Sequence, residues 1–122
     1  MKVRIPPQDL TAEQALLGSI MLKPKSLNEI TDTVKPNNFY AEKHRLIYKA
    51  MLELDSNGNP IDAVSLGTIL REKKQLEQAG GASYLAEFVS TVPTASNLTY
   101  YAEIVVKKSA LRSLIDSASQ IL

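Results

Sequence analysis

Few side chains in this sequence have the type and spacing for acid–base or ligand chemistry. His44 is the single histidine, so a two-histidine zinc site cannot form. It stands four residues before Tyr48 on an expected helix with no convergent nucleophile, which reads as packing beside Tyr48 or as a hydrogen bond to neighbouring backbone. Glu13 could serve as a catalytic carboxylate, yet an acidic residue is already favoured in the first turn of a helix, and capping accounts for it. Asp62 is read in the same way, as a helix N-cap. The run Asp55-Ser56-Asn57-Gly58-Asn59 has calcium-loop oxygens, but its glycine comes too early and no bidentate glutamate follows at the required distance. No G-x-x-x-x-G-K-[ST] occurs, and Gly80-Gly81 leads into Ala82-Ser83-Tyr84 with no lysine to reach a phosphate, so the pair reads as a turn. The sequence thus offers no catalytic residue, no metal ligand set and no cofactor-binding motif.

An alternative chemistry is nucleic-acid binding. Tyr84, Phe88, Tyr100 and Tyr101 could stack on bases while Lys107, Lys108 and Arg112 contact phosphates, giving a small single-stranded nucleic-acid-binding helical domain. Aromatics at helical spacing also serve a core, however, and these cations are interleaved with Glu103 and Asp116. Fourteen Lys and Arg against thirteen Asp and Glu leave a net charge of +1, which makes no broad field for a phosphate backbone.

The 122 residues, 44% hydrophobic and 22% charged, suffice for one folded domain with a real core. The absence of cysteine removes disulfides, thiol catalysis and thiolate metal sites, and is compatible with a reducing cytoplasm. The uncharged run from Gln14 to Leu22 is too short to cross a bilayer, and Pro6 and Pro7 occupy the place where a signal peptide would need its apolar core.

Apolar spacing follows the helical period throughout and never sustains the alternation of a half-buried strand, so the fold class is all-α. Pro6 and Pro7 hold the chain extended to Gln8. A first helix is expected over Thr11 to Leu22, with a capping box from Thr11 and Gln14 and a modest staple between Leu10 and Ala15. Leu16, Leu17, Ile20 and Met21 give its buried face, and Lys23-Pro24 end it. A short second helix is expected over Ser26 to Thr33, with Val34 to Asn38 as a connector. The third, about Ala41 to Leu54, carries the stripe Leu46, Ile47, Ala50, Met51 and Leu54. Asp62 opens a fourth helix reaching about Lys73, with Val64, Leu66, Ile69 and Leu70 as its apolar set. A fifth covers Ala82 to Ser90 and is closed by Pro93. The last begins near Ser96 or Asn97 and remains apolar to Leu122, more than a small head can bury, so part of it should meet another chain or a further helix. The sequence reads as a piece cut from a longer protein.

The lead-in Pro6-Pro7-Gln8 ahead of Ala12-Glu13-Gln14 resembles the opening of the amino-terminal domain of the bacterial replicative helicases of the DnaB family. Further segments match in order and spacing: Phe39-Tyr40 with His44 and Ile47-Tyr48-Lys49-Ala50-Met51; Gly58-Asn59-Pro60-Ile61-Asp62; Gly80-Gly81 with Tyr84-Leu85; Val92-Pro93-Thr94-Ala95 with Asn97; and Tyr100-Tyr101-Ala102 through Ile104-Val105 to Leu111-Arg112. The resemblance implies a small orthogonal bundle of about six helices, with residues 1–95 as a globular head and residues 96–122 as the first arm of a truncated helical hairpin. It implies a noncatalytic module whose hairpins pair domains into dimers that close the collar of a hexameric ring. ATP, magnesium, unwinding and most DNA contact would belong to a motor domain outside this chain. The implied partners are further copies of the same protein and the carboxy-terminal helicase-binding domain of primase, with a helicase loader in some members, all cytoplasmic and none a membrane. The family's primase-facing positions are matched by Tyr84, Arg112, Ile115 and Ile121, while Thr11 stands where a relative has Glu. Leu111, Leu114, Ala118 and Leu122 are the corresponding oligomer-interface candidates. Tyr84 and Ile115 have a second reading, as residues packing the head against its own arm.

Overall fold

The structure, a computed structural model, describes residues 5–91 and 97–121, with no strand among them. It contains α-helices α1 (Leu10–Leu22), α2 (Glu42–Ser56), α3 (Ala63–Glu72), α4 (Gly81–Thr91) and α5 (Leu98–Ile121), and 3-10 helices at Pro24–Glu29 and Pro36–Asn38. The all-helical expectation is met. Pro93 and the expected start at Ser96 lie outside the described residues.

Local chemistry sets most element ends, and it corrects two expectations. Helix α1 is capped by Asp9, whose side chain accepts from the Ala12 N–H at 2.9 Å. Thr11 lies inside the helix and exposed, so the expected capping box is not the start signal. Asp9 lies just beyond the two prolines, where a short side-chain acceptor can first turn back onto the backbone. The second helix is a 3-10 segment that begins earlier than expected, with Pro24 in its first turn, where a missing N–H costs nothing. Asp62 caps α3 as expected, accepting from the Ser65 N–H at 2.7 Å.

Gly58, at φ +72°, follows the end of α2, and the Asn59 N–H returns to the Leu54 carbonyl at 2.9 Å. The same closure at the end of α3 places Lys74 at φ +59°, with the Gln75 N–H on the Leu70 carbonyl at 2.8 Å.

One core joins all five α-helices. Leu16, Leu17 and Ile20 of α1 meet Ile47 and Met51 of α2, Leu66 and Leu70 of α3, Leu85 and Phe88 of α4, and Leu98, Ala102 and Val105 of α5. Burying each large aliphatic side chain contributes roughly 1.5–3 kcal/mol, which is what fixes the layers. Val64 was expected in this set and instead stands 78% exposed in the first turn of α3, on the side away from Leu66 and Leu70. Tyr48 secures the connector, its buried hydroxyl donating to the Val34 carbonyl at 2.8 Å. Burial pushes that hydroxyl's pKa up to about 12.

Helix α1 packs on both α4 and α5, and α5 also lies along the Pro36–Asn38 turn. The first half of α5 sets Leu98, Ala102 and Val105 into the core. From Ala110 the helix runs out into solvent, with Leu111, Leu114 and Ile115 exposed.

Candidate functional site

Two places in this framework gather side chains that could act on a partner. The first is a polar corner where α1, α2 and α4 meet. Glu13 faces inward with Leu16 and Leu17 and is only 2% exposed. Its Oε2 accepts from the Tyr40 N–H at 2.7 Å and its Oε1 from the Ala41 N–H at 3.4 Å. These amides directly precede α2, so a carboxylate from one helix neutralises the positive end of another. The same Oε1 lies 2.7 Å from Nδ1 of His44, which is 1% exposed. His44 Nε2 in turn lies 2.6 Å from the Tyr84 hydroxyl. The Tyr84 ring lies nearly parallel to the imidazole, at 12° with centroids 6.0 Å apart, and meets the Phe88 ring edge-on at 4.9 Å.

Tyr84 is the half-buried, outermost member of this chain of contacts. Burial, followed by the negative charges of Glu13 and Glu87, pushes its hydroxyl up to about 12, so it holds its proton at neutral pH. The Lys43 ammonium lies 4.0 Å from the centre of its ring. Gly80, at φ +101°, makes room for the ring, since a Cβ there would come within 2.6 Å of Tyr84.

The second place is a groove of about 570 Å³ between the extended lead-in and α5, walled in part by Ile5, Pro6, Pro7, Arg112, Ile115 and Asp116. Arg112 builds it. One terminal nitrogen donates to the Pro7 carbonyl at 2.8 Å and the other to the Asn38 carbonyl at 2.7 Å, with the guanidinium 5.4 Å from the Tyr40 ring centre. The Asn38 side chain donates to Ser109 Oγ at 3.0 Å, so the connector is tied to α5 twice.

The expected site residues therefore divide. Arg112 and Ile115 share the groove, whereas Tyr84 belongs to the polar corner. Ile115 is 51% and Leu114 is 67% exposed, with Leu111 and Ala118 on the same outer part of α5. Leu122 and the side chain of Ile121 lie outside the described residues. Two expectations are corrected: His44 bonds to side chains of α1 and α4, not to local backbone, and Glu13 serves α2, not its own helix. Both were detectable as core-facing polar residues, because Glu13 precedes Leu16-Leu17, and His44 precedes Ile47-Tyr48, by three and four positions. The base-stacking set is not assembled, since Phe88 is fully buried and Tyr84 is bound to His44. No cluster of potential metal ligands occurs among the described residues, and no helix there is long and apolar enough to cross a membrane.

Comparison with known proteins agrees with this architecture. Residues 5–107 match the family described as DnaB-like helicase N terminal domain. The replicative DNA helicase DnaC of Bacillus subtilis is 46% identical over 118 residues, which are 97% of this chain and 26% of that protein. The chain thus spans about a quarter of the length of such relatives. The crystal structure of the N-terminal domain of DnaB helicase from Mycobacterium tuberculosis superposes with a TM-score of 0.91 at 40% identity, covering 96% of this chain and 85% of that one. A structure of a DnaB-like replicative helicase, described together with its interactions with primase, gives a TM-score of 0.81 at 33% identity over 93% of this chain and 26% of its own. With a helical head, a projecting α5 and a family match over most of its length, the chain belongs to the DnaB-like helicase N-terminal domains.

Proposed function

We propose that this domain is a noncatalytic collar and docking module of a replicative helicase, which pairs with further copies through α5 and receives primase on its exposed surface. The carrying observation is the outer part of α5, where Leu111, Leu114 and Ile115 lie in solvent on a helix whose first half sets Leu98, Ala102 and Val105 into the core. An apolar stripe of this kind gains free energy by meeting a second helix or a partner protein. Residues 96–122 act as the first arm of a dimerising hairpin and residues 1–95 as the head, and the assembled protein is a hexamer. Primase docking is supported by a relative of 33% identity that was described with primase. Tyr84 then supplies an aromatic anchor, Ile115 an apolar contact beside the groove, and Arg112 holds the groove's walls together. In the whole protein, ATP hydrolysis with magnesium, unwinding and most DNA contact reside in a motor domain, and the protein works in the cytoplasm.

Titration of the chain with the helicase-binding domain of primase tests this reading. Ile115→Asp should weaken binding at least about tenfold, by placing a charge against apolar surface, with circular dichroism unchanged. Equal affinity in the variant, or no binding by the wild-type chain, would overturn it.

A further inference from the structure

The polar corner fixes more than the fold, because its hydrogen bonds can be followed atom by atom. Glu13 accepts two backbone N–H groups as well as facing His44, so its carboxylate acts as an acceptor only. The proton between Glu13 and His44 therefore sits on Nδ1. Charges of both signs face the imidazole. His44 is the third residue of α2, close to that helix's positive end, and the Lys43 ammonium lies over the neighbouring Tyr84 ring. The negative groups are Glu13 from α1 and, beyond Tyr84, Glu87 from α4. A neutral imidazole protonated at Nδ1 presents a bare lone pair at Nε2, and the Tyr84 hydroxyl, 2.6 Å away, is the group that can fill it.

We propose that His44 is a positioning residue that consumes the Tyr84 hydroxyl proton, so that a docking protein meets Tyr84 as a hydrogen-bond acceptor and must supply an N–H or O–H donor to it. A tyrosine whose hydroxyl rotates freely can serve either kind of partner. Here the direction is set from Glu13 through His44, and an acidic group brought to the same oxygen finds no proton to share. The arrangement thus selects for a lysine, arginine, amide or hydroxyl at that point of the partner surface, and against a carboxylate. The docking part rests on the primase reading above, whereas the proton arrangement does not.

Two measurements separate these parts. Because the chain holds one histidine, ¹⁵N shifts of its imidazole at neutral pH report His44 without ambiguity. A protonated Nδ1 with a bare Nε2 is expected; protonation at Nε2, alone or together with Nδ1, overturns the relay whatever binds the domain. The second measurement titrates variants with the helicase-binding domain of primase. Tyr84→Phe keeps the ring and should weaken binding about five- to tenfold, the range of one lost hydrogen bond. His44→Gln should weaken it less than Tyr84→Phe, since an amide oxygen can still accept the hydroxyl proton, and adding His44→Gln to Tyr84→Phe should cost nothing further. Tyr84→Phe binding like wild type, or losses that add in the double variant, overturn the positioning role. If His44→Gln does not fold, the imidazole shifts and Tyr84→Phe still decide. Failure of the wild-type chain to bind removes the docking reading and leaves the proton arrangement to be judged by the ¹⁵N shifts alone.

Discussion

Around His44, two side chains almost closed to water and a half-buried tyrosine direct their polar atoms at one another and at two backbone amides. On the outer half of α5, by contrast, Leu111, Leu114 and Ile115 face solvent. The first region settles its interactions within the molecule, at a long reach in sequence, and so fixes how three helices meet. The second leaves apolar surface on a single helix, which adds little to folding and much to association. Rigidity is thereby concentrated around His44, and exposed apolar surface on α5, with Tyr84 at the outer edge of the rigid region.

Breaking the internal region should have the largest effect. Glu13→Ala removes the acceptor shared by Tyr40, Ala41 and His44, and each buried donor left unsatisfied costs about 1–3 kcal/mol. Urea unfolding measures this, and a loss below about 1 kcal/mol would show that the corner is not what joins α1 to α2. Gly80→Ala sharpens the same point, since its Cβ would meet the Tyr84 ring at 2.6 Å from a positive-φ backbone. A cost of about 1–3 kcal/mol is expected for the strain alone, with the aromatic near-ultraviolet signal changed. The smallest effect on folding belongs to the other region. Leu111→Ser combined with Leu114→Ser should leave stability within about 0.5 kcal/mol per site, while sedimentation shows less self-association at high concentration. A large loss of stability in that variant would mean that the outer part of α5 is core, and the contrast would collapse.

What could be read from the sequence follows the range of the interaction. Asp62 was legible because its partner, the Ser65 N–H, lies three residues away. The class of fold was legible because periodicity repeats in every helix. The cap of α1 was misplaced by two positions because Asp9 and Thr11 both offer short oxygens beside the prolines, and only the backbone turn distinguishes them. Val64 reads as core because it is apolar within an apolar run, although a residue in a first turn can point away from the stripe that follows. Glu13 and His44 each have a local explanation that is sufficient by itself. Their actual partners lie 27 to 40 residues away, and no spacing rule reaches so far. Ile115 and Leu114 were legible as apolar residues in excess of what a head can cover, whereas the groove beside them arises from Arg112 reaching two carbonyls in distant segments.

The double tether of Arg112 has a mechanical consequence. It holds α5 within its described 24 residues, and the described helix continues for about 14 Å past the fastening at roughly 1.5 Å per residue. A tilt of about 10° at that pivot would swing the far end by roughly 2.5 Å over such a length. Small changes in the seating of Pro7 or Asn38 are in this way magnified farther along α5, and the lead-in works as a strap that sets the angle of the lever.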